Sequence, residues 1–486
     1  MDFKVPAIVA TAALVTAAVV GCAVNPATGQ REISLVSESQ EIAMGREYDP
    51  QIVASMGLYP DSAVQRYVRE IGLRMAAQSE RPNLPWSFRV IDDPVVNAFA
   101  VPGGFIYVTR GILGYMDNEA QLAAVLGHEI GHVTARHTAQ QITRSQLAQG
   151  ALLVGAVLSE TVAGVAGEAS QGLQLLFLKF GRDDERQSDD LAFRYMGRTD
   201  YDMREVPDVF EMLSRVSAAQ GGGGRVPEWL STHPDPGNRR VDAQAKIAQL
   251  PPGSLGQTVA RDRFINALDN IVYGQDPRQG YFQAGNQFIH PELAFRITFP
   301  DGWQTANQPQ AVLAASPQQN AILQLTLSEG SSPDAAATAF VSQEGLQPTQ
   351  PRRETLNGLN AVTTQFTAQT QQGAVSGMVA FIELGGRVYQ ILGYGLQQGW
   401  SSNSGIVQRS LGSFARVTDR ALLEVEAMRL DVVRIDREMT LSEFAQRNPG
   451  PATMEELVLL NQASEPEQRF PAGMLLKRVV GRRPPG

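Results

Sequence analysis

Three of the five histidines of this 486-residue chain fall in one short stretch, GHEIGHVTARH, residues 127–137. His128 and His132 are four apart. On a helix that spacing puts both imidazoles on one face, about one turn apart. Two nitrogen donors so placed suit one small divalent cation, each at roughly 2.0–2.1 Å. Glu129 points to the neighbouring side, where its carboxylate reaches a water at that cation without ligating it. The pattern is H-E-x-x-H. Leu122, Val125 and Leu126 precede it at helical spacing, so the helix is expected on pattern alone. The bland alternative is a pair of surface histidines beside a glutamate. His137 lies about 140° round a continuous helix from His132 and about 180° from His128. It is expected to face away from the cation and to serve either as a hydrogen-bonding support behind the metal ligands or as a structural residue.

A catalytic site with two histidine ligands needs a carboxylate from elsewhere. FGRDDERQSDD, residues 180–190, reads as a second helix with Glu185 and Asp189 on one face. Glu185 can complete the donor set. Asp189 can accept the spare N–H of a ligating histidine and so fix its tautomer. In isolation this charge run would read as a solvated face.

With STHP at 231–234, these motifs resemble the gluzincin zinc metalloproteases, the family of HtpX-like and BepA-like bacterial proteases and the CAAX prenyl endopeptidases. The resemblance covers roughly 38–250, with Ser188 where the family usually has alanine. It implies one zinc ion held by His128, His132 and Glu185, and Glu129 as general base. It also implies that His233 approaches the metal, either to stabilise an oxyanion or to fill the open position. Arg239 is expected to order the loop around His233. The NAFAVPGG strand, with Asn97, Ala98, Phe99, Ala100 and Val101, would border the cleft and pair with an extended substrate; otherwise it is a core strand. The implied function is zinc-dependent hydrolysis of peptide bonds in cell-envelope proteins, in protein quality control. The rival is a tethered chaperone-like or cell-wall-binding scaffold, whose structural zinc would take His233 as a fourth ligand.

The elements that must position these residues can be read from periodicity. Val64, Tyr67, Val68, Ile71 and Met75 form an amphipathic stripe, and the run 88–113 reads as short strands around Pro102-Gly103-Gly104. The segment between the two metal helices is small and apolar but interrupted by Glu160 and Glu168, which argues against a membrane span. A helical flap over the cleft is expected there, or a lipid contact at 173–180. PPGSLGQ, 251–257, marks a boundary. Beyond it LAFRITF alternates Leu293, Phe295, Ile297 and Phe299 as a half-buried strand, and further strands follow to about 416. That stretch loosely resembles the PsbP-like α/β sandwich. Thr440-Leu441, Leu457, Leu460-Asn461, Pro471-Ala472-Gly473 and Lys477 resemble a glycan-gripping LysM-type module, and fit an unrelated small α/β cap equally well.

The expected fold is therefore multidomain. A mainly α, zincin-like metalloprotease domain with a short β edge strand (38–250) is followed by a linker (251–291). An α+β PsbP-like sandwich (292–418) and a small α/β LysM-like module (419–486) complete it. At the other end, 1–21 reads as a signal peptide and 22–37 as a lipidated tether. Val19-Val20-Gly21-Cys22 resembles a bacterial lipobox, with valines in place of the favoured Leu and Ala or Ser. It implies an acyl anchor on Cys22, and Ala23 after it points to the periplasmic face of an outer membrane. A plain secretory signal or an uncleaved anchor are the alternatives. Composition is ordinary globular, 43% hydrophobic and 19% charged. Net charge −9 and a pI near 5.3 exclude a broad basic field for nucleic acid. The expected partners are protein or peptide substrates, the membrane through its anchor, and peptidoglycan through the C-terminal module.

Overall fold

The computed structural model describes residues 21–144, 180–220, 233, 236–370 and 373–483. The signal-peptide reading of 1–20 and the flap reading of 145–179 lie outside them.

Helix α1 (Glu38–Met56) starts with a reciprocal cap: Gln40 N–H donates to the Ser37 hydroxyl, and Ser37 N–H donates to Gln40 Oε1. In α2 (Ser62–Ala76) the stripe Val64, Val68, Ile71 and Met75 is buried. It packs on a three-stranded sheet of β3 (Ser87–Ile91), β4 (Ala98–Val101) and β5 (Phe105–Thr109). β5 is central, parallel to β3 and antiparallel to the edge strand β4. Gly103 closes the β4–β5 turn at φ +86, and a Cβ there would sit 2.7 Å from Glu41 O, so both conformation and space require glycine.

A short helix α3 (Arg110–Tyr115) leads into α4 (Glu119–Thr134), the H-E-x-x-H helix, every residue of which is buried. Asn118 caps it. Glu119, fully buried in its first turn, lies where the helix dipole favours an anion. It accepts from Tyr67, Tyr201, Arg74 and Arg263, the pairing a buried charge needs. Helix α5 (Arg182–Arg198) crosses α4 at two glycines. A Cβ on Gly131 would come 3.0 Å from Ser188 Cα and O, and one on Gly127 would come 3.1 Å from Ala192 Cα. Helices α6 (Val206–Gln220) and α7 (Pro236–Gln249) complete this layer.

The stretch 251–291, expected as a linker, is built into both neighbours. Helix α8 (Arg261–Ala267) and the residues after it add Phe264, Ile265, Leu268, Ile271 and Val272 to the first core. Strands β6 (Tyr281–Gln283) and β7 (Gln287–His290) pair with β8 (Phe295–Thr298) in a four-stranded sheet that β17 (Ala415–Arg416) completes. The proline-glycine turn at 251–257 ends the helical rhythm, but the residues behind it are apolar enough to return to the core.

The second unit is an antiparallel sheet. Its order is β12 (Leu346–Pro348), β14 (Leu359–Thr370), β15 (Gly373–Leu384), β16 (Arg387–Leu396), β11 (Ala321–Ser328), β10 (Ala311–Ala315), β9 (Gln304–Gln308), with β13 (Arg352–Leu356) on β14. Helix α9 (Pro333–Val341) covers one face and α10 (Gln397–Gly412) the other. The C-terminal module pairs β18 (Arg429–Arg434) with β21 (Leu475–Val480) and β19 (Met439–Thr440) with β20 (Arg469–Phe470), around α11 (Leu441–Arg447) and α12 (Met454–Leu460). It is not a detached bead: Leu430, Leu460, Leu475 and Val479 belong to the metal-helix core.

The tether is also corrected. Gly21–Val24 (β1) and Arg31–Ser34 (β2) form a hairpin, in which the Cys22 backbone pairs with Ile33. Asn25, buried, donates to Glu32 Oε1 at 3.0 Å and to Ala135 O, at the end of α4, at 3.2 Å. Among the described residues no helix is long and apolar enough to cross a membrane.

Candidate metal centre

Helix α4 brings His128 and His132 onto one face, their Nε2 atoms 2.9 Å apart. Glu185, in the first turn of α5, lies 3.5 Å from each through separate oxygens. His233 joins them, its Nδ1 2.9 Å from Glu185 Oε1 and 3.3 Å from His128 Nε2. One donor atom from each of the four lies within 4.8 Å of all the others, and all four residues are buried. Three imidazoles and a carboxylate are the donor chemistry of a zinc-type site, so these residues fit a metal ion.

The electrostatics agree. Burial pushes the Glu185 carboxyl up, but His233, His128 and His132 around it hold it well below the usual carboxylate range. Burial and Arg239 push His128 down, while bonds to Asp189 and Glu185 outweigh them and raise it to about 9. Burial drives His132 well below its ordinary value. Without a metal the cluster therefore keeps a proton on His128 as counter-charge to Glu185, a place that a cation takes over.

Glu129 is fully buried next to the set. Its Oε1 has no hydrogen-bond partner among the described residues, and His233 Nε2 is 3.7 Å from it. Burial raises its pKa, with His233 opposing. Asp189 Oδ1 accepts from His128 Nδ1 at 2.9 Å. Arg239, in α7, makes a two-pronged pair with Asp189 at 2.6 and 2.8 Å and lies 2.8 Å from Glu185 Oε2, off the hydrogen-bonding direction, while most of the loop it was expected to order lies outside the described residues. Its guanidinium stacks 4.6 Å from the Phe210 ring.

His137 does not face away. Helix α4 stops at Thr134 and Arg136 adopts φ 63, so the chain turns back and His137 Nδ1 lands 3.0 Å from His132 Nδ1. The expectation assumed a continuous helix, which the left-handed residue breaks. Asn97 and Ala98–Val101 stand at the sheet edge beside α4, and Asn97 Oδ1 is buried without a partner among the described residues. Two neighbours were missed from sequence. Gln187 accepts from His137 Nε2 at 2.7 Å, and the Phe180 ring lies 4.1 Å from that of His132. Neither side-chain type advertises such a role, and both depend on how α5 crosses α4.

This arrangement of helices and donors defines a class, and comparison agrees. Residues 62–246 match the model of peptidase family M48. The chain is also similar to the beta-barrel assembly-enhancing proteases of Yersinia pestis, 31% identical over 281 residues (56% of this chain, 55% of that protein), and of Escherichia coli, 31% over 238 (47% and 48%). It is also similar to the mitochondrial metalloendopeptidase OMA1 of Arabidopsis thaliana, 32% over 193 residues (39% and 37%). The chain thus spans about half the length of these bacterial relatives. The match and the buried donors support a metalloendopeptidase domain. Among solved structures, a cyanobacterial PsbP of Synechocystis is similar at TM-score 0.22 and 12% identity, over 28% of this chain and 91% of that one, a score that carries no argument.

Proposed function

We propose that this chain is a zinc-dependent endopeptidase of the bacterial cell envelope, acting in protein quality control. The observation that carries the reading is the convergence of His128, His132 and Glu185, from two helices, beside Glu129, whose Oε1 has no hydrogen-bond partner among the described residues. His128, His132 and Glu185 would hold the ion. When bound, zinc supplies a Lewis acid for water and for the scissile carbonyl. Glu129 takes the proton of the attacking water and hands it to the leaving nitrogen. An N–H of His233 donates to the developing oxyanion. Asp189 and Arg239 keep His128 oriented, His137 does the same for His132, and the edge at Asn97–Val101 pairs with extended substrate. Converting Glu129 to Gln in the full chain tests this: zinc content should persist while casein cleavage falls by at least about 100-fold. Cleavage at the original rate would remove Glu129 from the chemistry.

One observation favours a second reading, a latched or structural site in a scaffold: His233 lies inside the donor set as a fourth protein ligand. A latch predicts faster proteolysis from His233→Ala. An oxyanion role predicts slower.

The remaining assignments are supported from sequence. We assign the lipid anchor to Cys22 on the lipobox resemblance, which suits the periplasmic face of an outer membrane. Protein substrates there would include those implied by the names of the bacterial relatives. The 419–486 module is assigned peptidoglycan on the LysM resemblance, and 292–418 a PsbP-like fold without an assigned ligand.

A further inference from the structure

His132 turns Nε2 to the donor cluster and Nδ1 to a neighbour outside it. That neighbour is His137, 2% exposed, with Nδ1 3.0 Å from His132 Nδ1 and Nε2 2.7 Å from Gln187 Oε1. We propose that Gln187 and His137 form a relay that sets the tautomer of His132, placing its proton on Nδ1 and its lone pair on Nε2, towards the metal. The inference rests on the metal-centre reading above and deepens it.

The direction follows from the donor inventory. A carbonyl oxygen only accepts, so His137 Nε2 must carry the proton that Gln187 Oε1 receives. Asp184 Oδ1, a second acceptor, lies on the same side at 3.9 Å. In a neutral imidazole the other nitrogen is then bare, and His137 Nδ1 accepts. His132 Nδ1 must donate to it, and the Ser188 hydroxyl, 3.4 Å from the same nitrogen, can only add a second donor. His132 Nε2 is left bare. The 2.9 Å approach of His128 Nε2 to His132 Nε2 needs one such bare nitrogen, and the relay makes it that of His132.

The two histidine ligands are thus prepared differently. His128 has the charged pair Asp189–Arg239, and His132 a neutral chain ending in an amide. A glutamine terminus can also present its NH₂. In that orientation every proton shifts by one place: His137 would donate from Nδ1, and His132 would carry its proton on Nε2, where it blocks ligation. Gln187 is therefore a positioning residue whose amide direction matters, and the left-handed turn at Arg136, held by Glu41 at 2.9 Å, places His137 within its reach.

The test uses the full chain with ¹⁵N-labelled histidine. With five histidines the spectrum is sparse enough to assign. Zinc affinity is read by chelator competition, and the His132 tautomer from its nitrogen–proton couplings in the metal-free protein. Wild type should show His132 protonated on Nδ1. His137→Phe and Gln187→Leu should weaken zinc binding by about 10- to 100-fold and mix the tautomers. Gln187→Glu, whose carboxylate only accepts, should keep the wild-type tautomer and bind zinc within a few-fold of wild type. Undiminished zinc affinity in His137→Phe, or wild-type His132 protonated on Nε2, overturns the relay alone. So does a Gln187→Glu chain as weak as Gln187→Leu, which would mark a merely structural contact. A wild-type chain that binds no zinc overturns the metal-centre reading, and the relay with it.

Discussion

Asp189 shares one oxygen between two partners: Oδ1 receives His128 Nδ1 at 2.9 Å and Arg239 Nη2 at 2.6 Å, while Oδ2 takes Arg239 Nε at 2.8 Å. Burial would raise its pKa, but the Arg239 charge and the His128 bond hold it below the usual carboxylate range. Asp189→Asn keeps the shape and removes the charge. Whichever way the new amide turns, its NH₂ faces a donor. We expect about a 10- to 100-fold loss of zinc affinity, and a stability loss smaller than the about 3–5 kcal/mol of a fully unpaired buried charge, because Arg239 keeps Glu185 at 2.8 Å. Chelator competition and urea unfolding read the two effects, and unchanged zinc affinity would show that Asp189 does not orient His128. Spacing told which residues share a face, 128 with 132 and 185 with 189, because each pair lies on a single helix, while the meeting of the two faces was implied by the family resemblance. Gln187, Phe180 and the return of His137 were not legible, since they depend on a helix crossing and on one residue at positive φ.

At the scale of elements, the site exists because α4 and α5 touch backbone to backbone. Alternation marked β8, strand-like runs marked the stretch beyond it to about 416, and the helical stripe marked α2. Nothing periodic announces a helix crossing. The signal lay in Gly127 and Gly131, four apart within the metal motif, as flat patches for a neighbour. Gly131→Ala adds a Cβ 3.0 Å from the Ser188 backbone, which has no side-chain freedom with which to yield. Overpacking costs about 1–3 kcal/mol, against about 1 kcal/mol gained from the helix preference of alanine. Net stability should therefore change by less than about 2 kcal/mol. The shift of α5 should instead appear in Glu185, three residues before Ser188, and lower zinc affinity at least about 10-fold. A variant that keeps full affinity would mean that the crossing tolerates displacement and does not set the ligand geometry. The expected linker and tether failed for a related reason: polarity and turn residues describe local chain behaviour. Yet Asn25 and the 261–272 segment are held by partners more than a hundred residues away.

Across the whole molecule, the C-terminal module is fastened where α3 gives way to α4, at the far end of the helix that carries the metal ligands. Lys477, completely buried, donates to the carbonyls of Gly114 and Met116 at 2.9 and 2.7 Å. Beside it, Arg261 bridges Asp117 and Leu475 O, and Gln462 reaches Tyr115 O. Burial lowers the Lys477 pKa to about 7, with Asp117 opposing the shift and Arg261 adding to it. The unfolded lysine titrates near its ordinary 10.5. Between these values Lys477 is more protonated in the unfolded chain than in the folded one, so its contribution to folding stability rises with pH. The penalty for burying the charge is complete below pH about 7 and fades towards about 10.5. Lys477→Met keeps an unbranched stem but cannot titrate and leaves two carbonyls without their donor. The stability of wild type minus that of this variant should therefore rise steadily from pH 7 to about 9.5, because the difference cancels every group the two chains share. Urea unfolding at four or five pH values measures it. A gap that stays level would mean that Lys477 is neutral throughout or reaches solvent, and that the module is held to the metal-helix core by its apolar contacts alone.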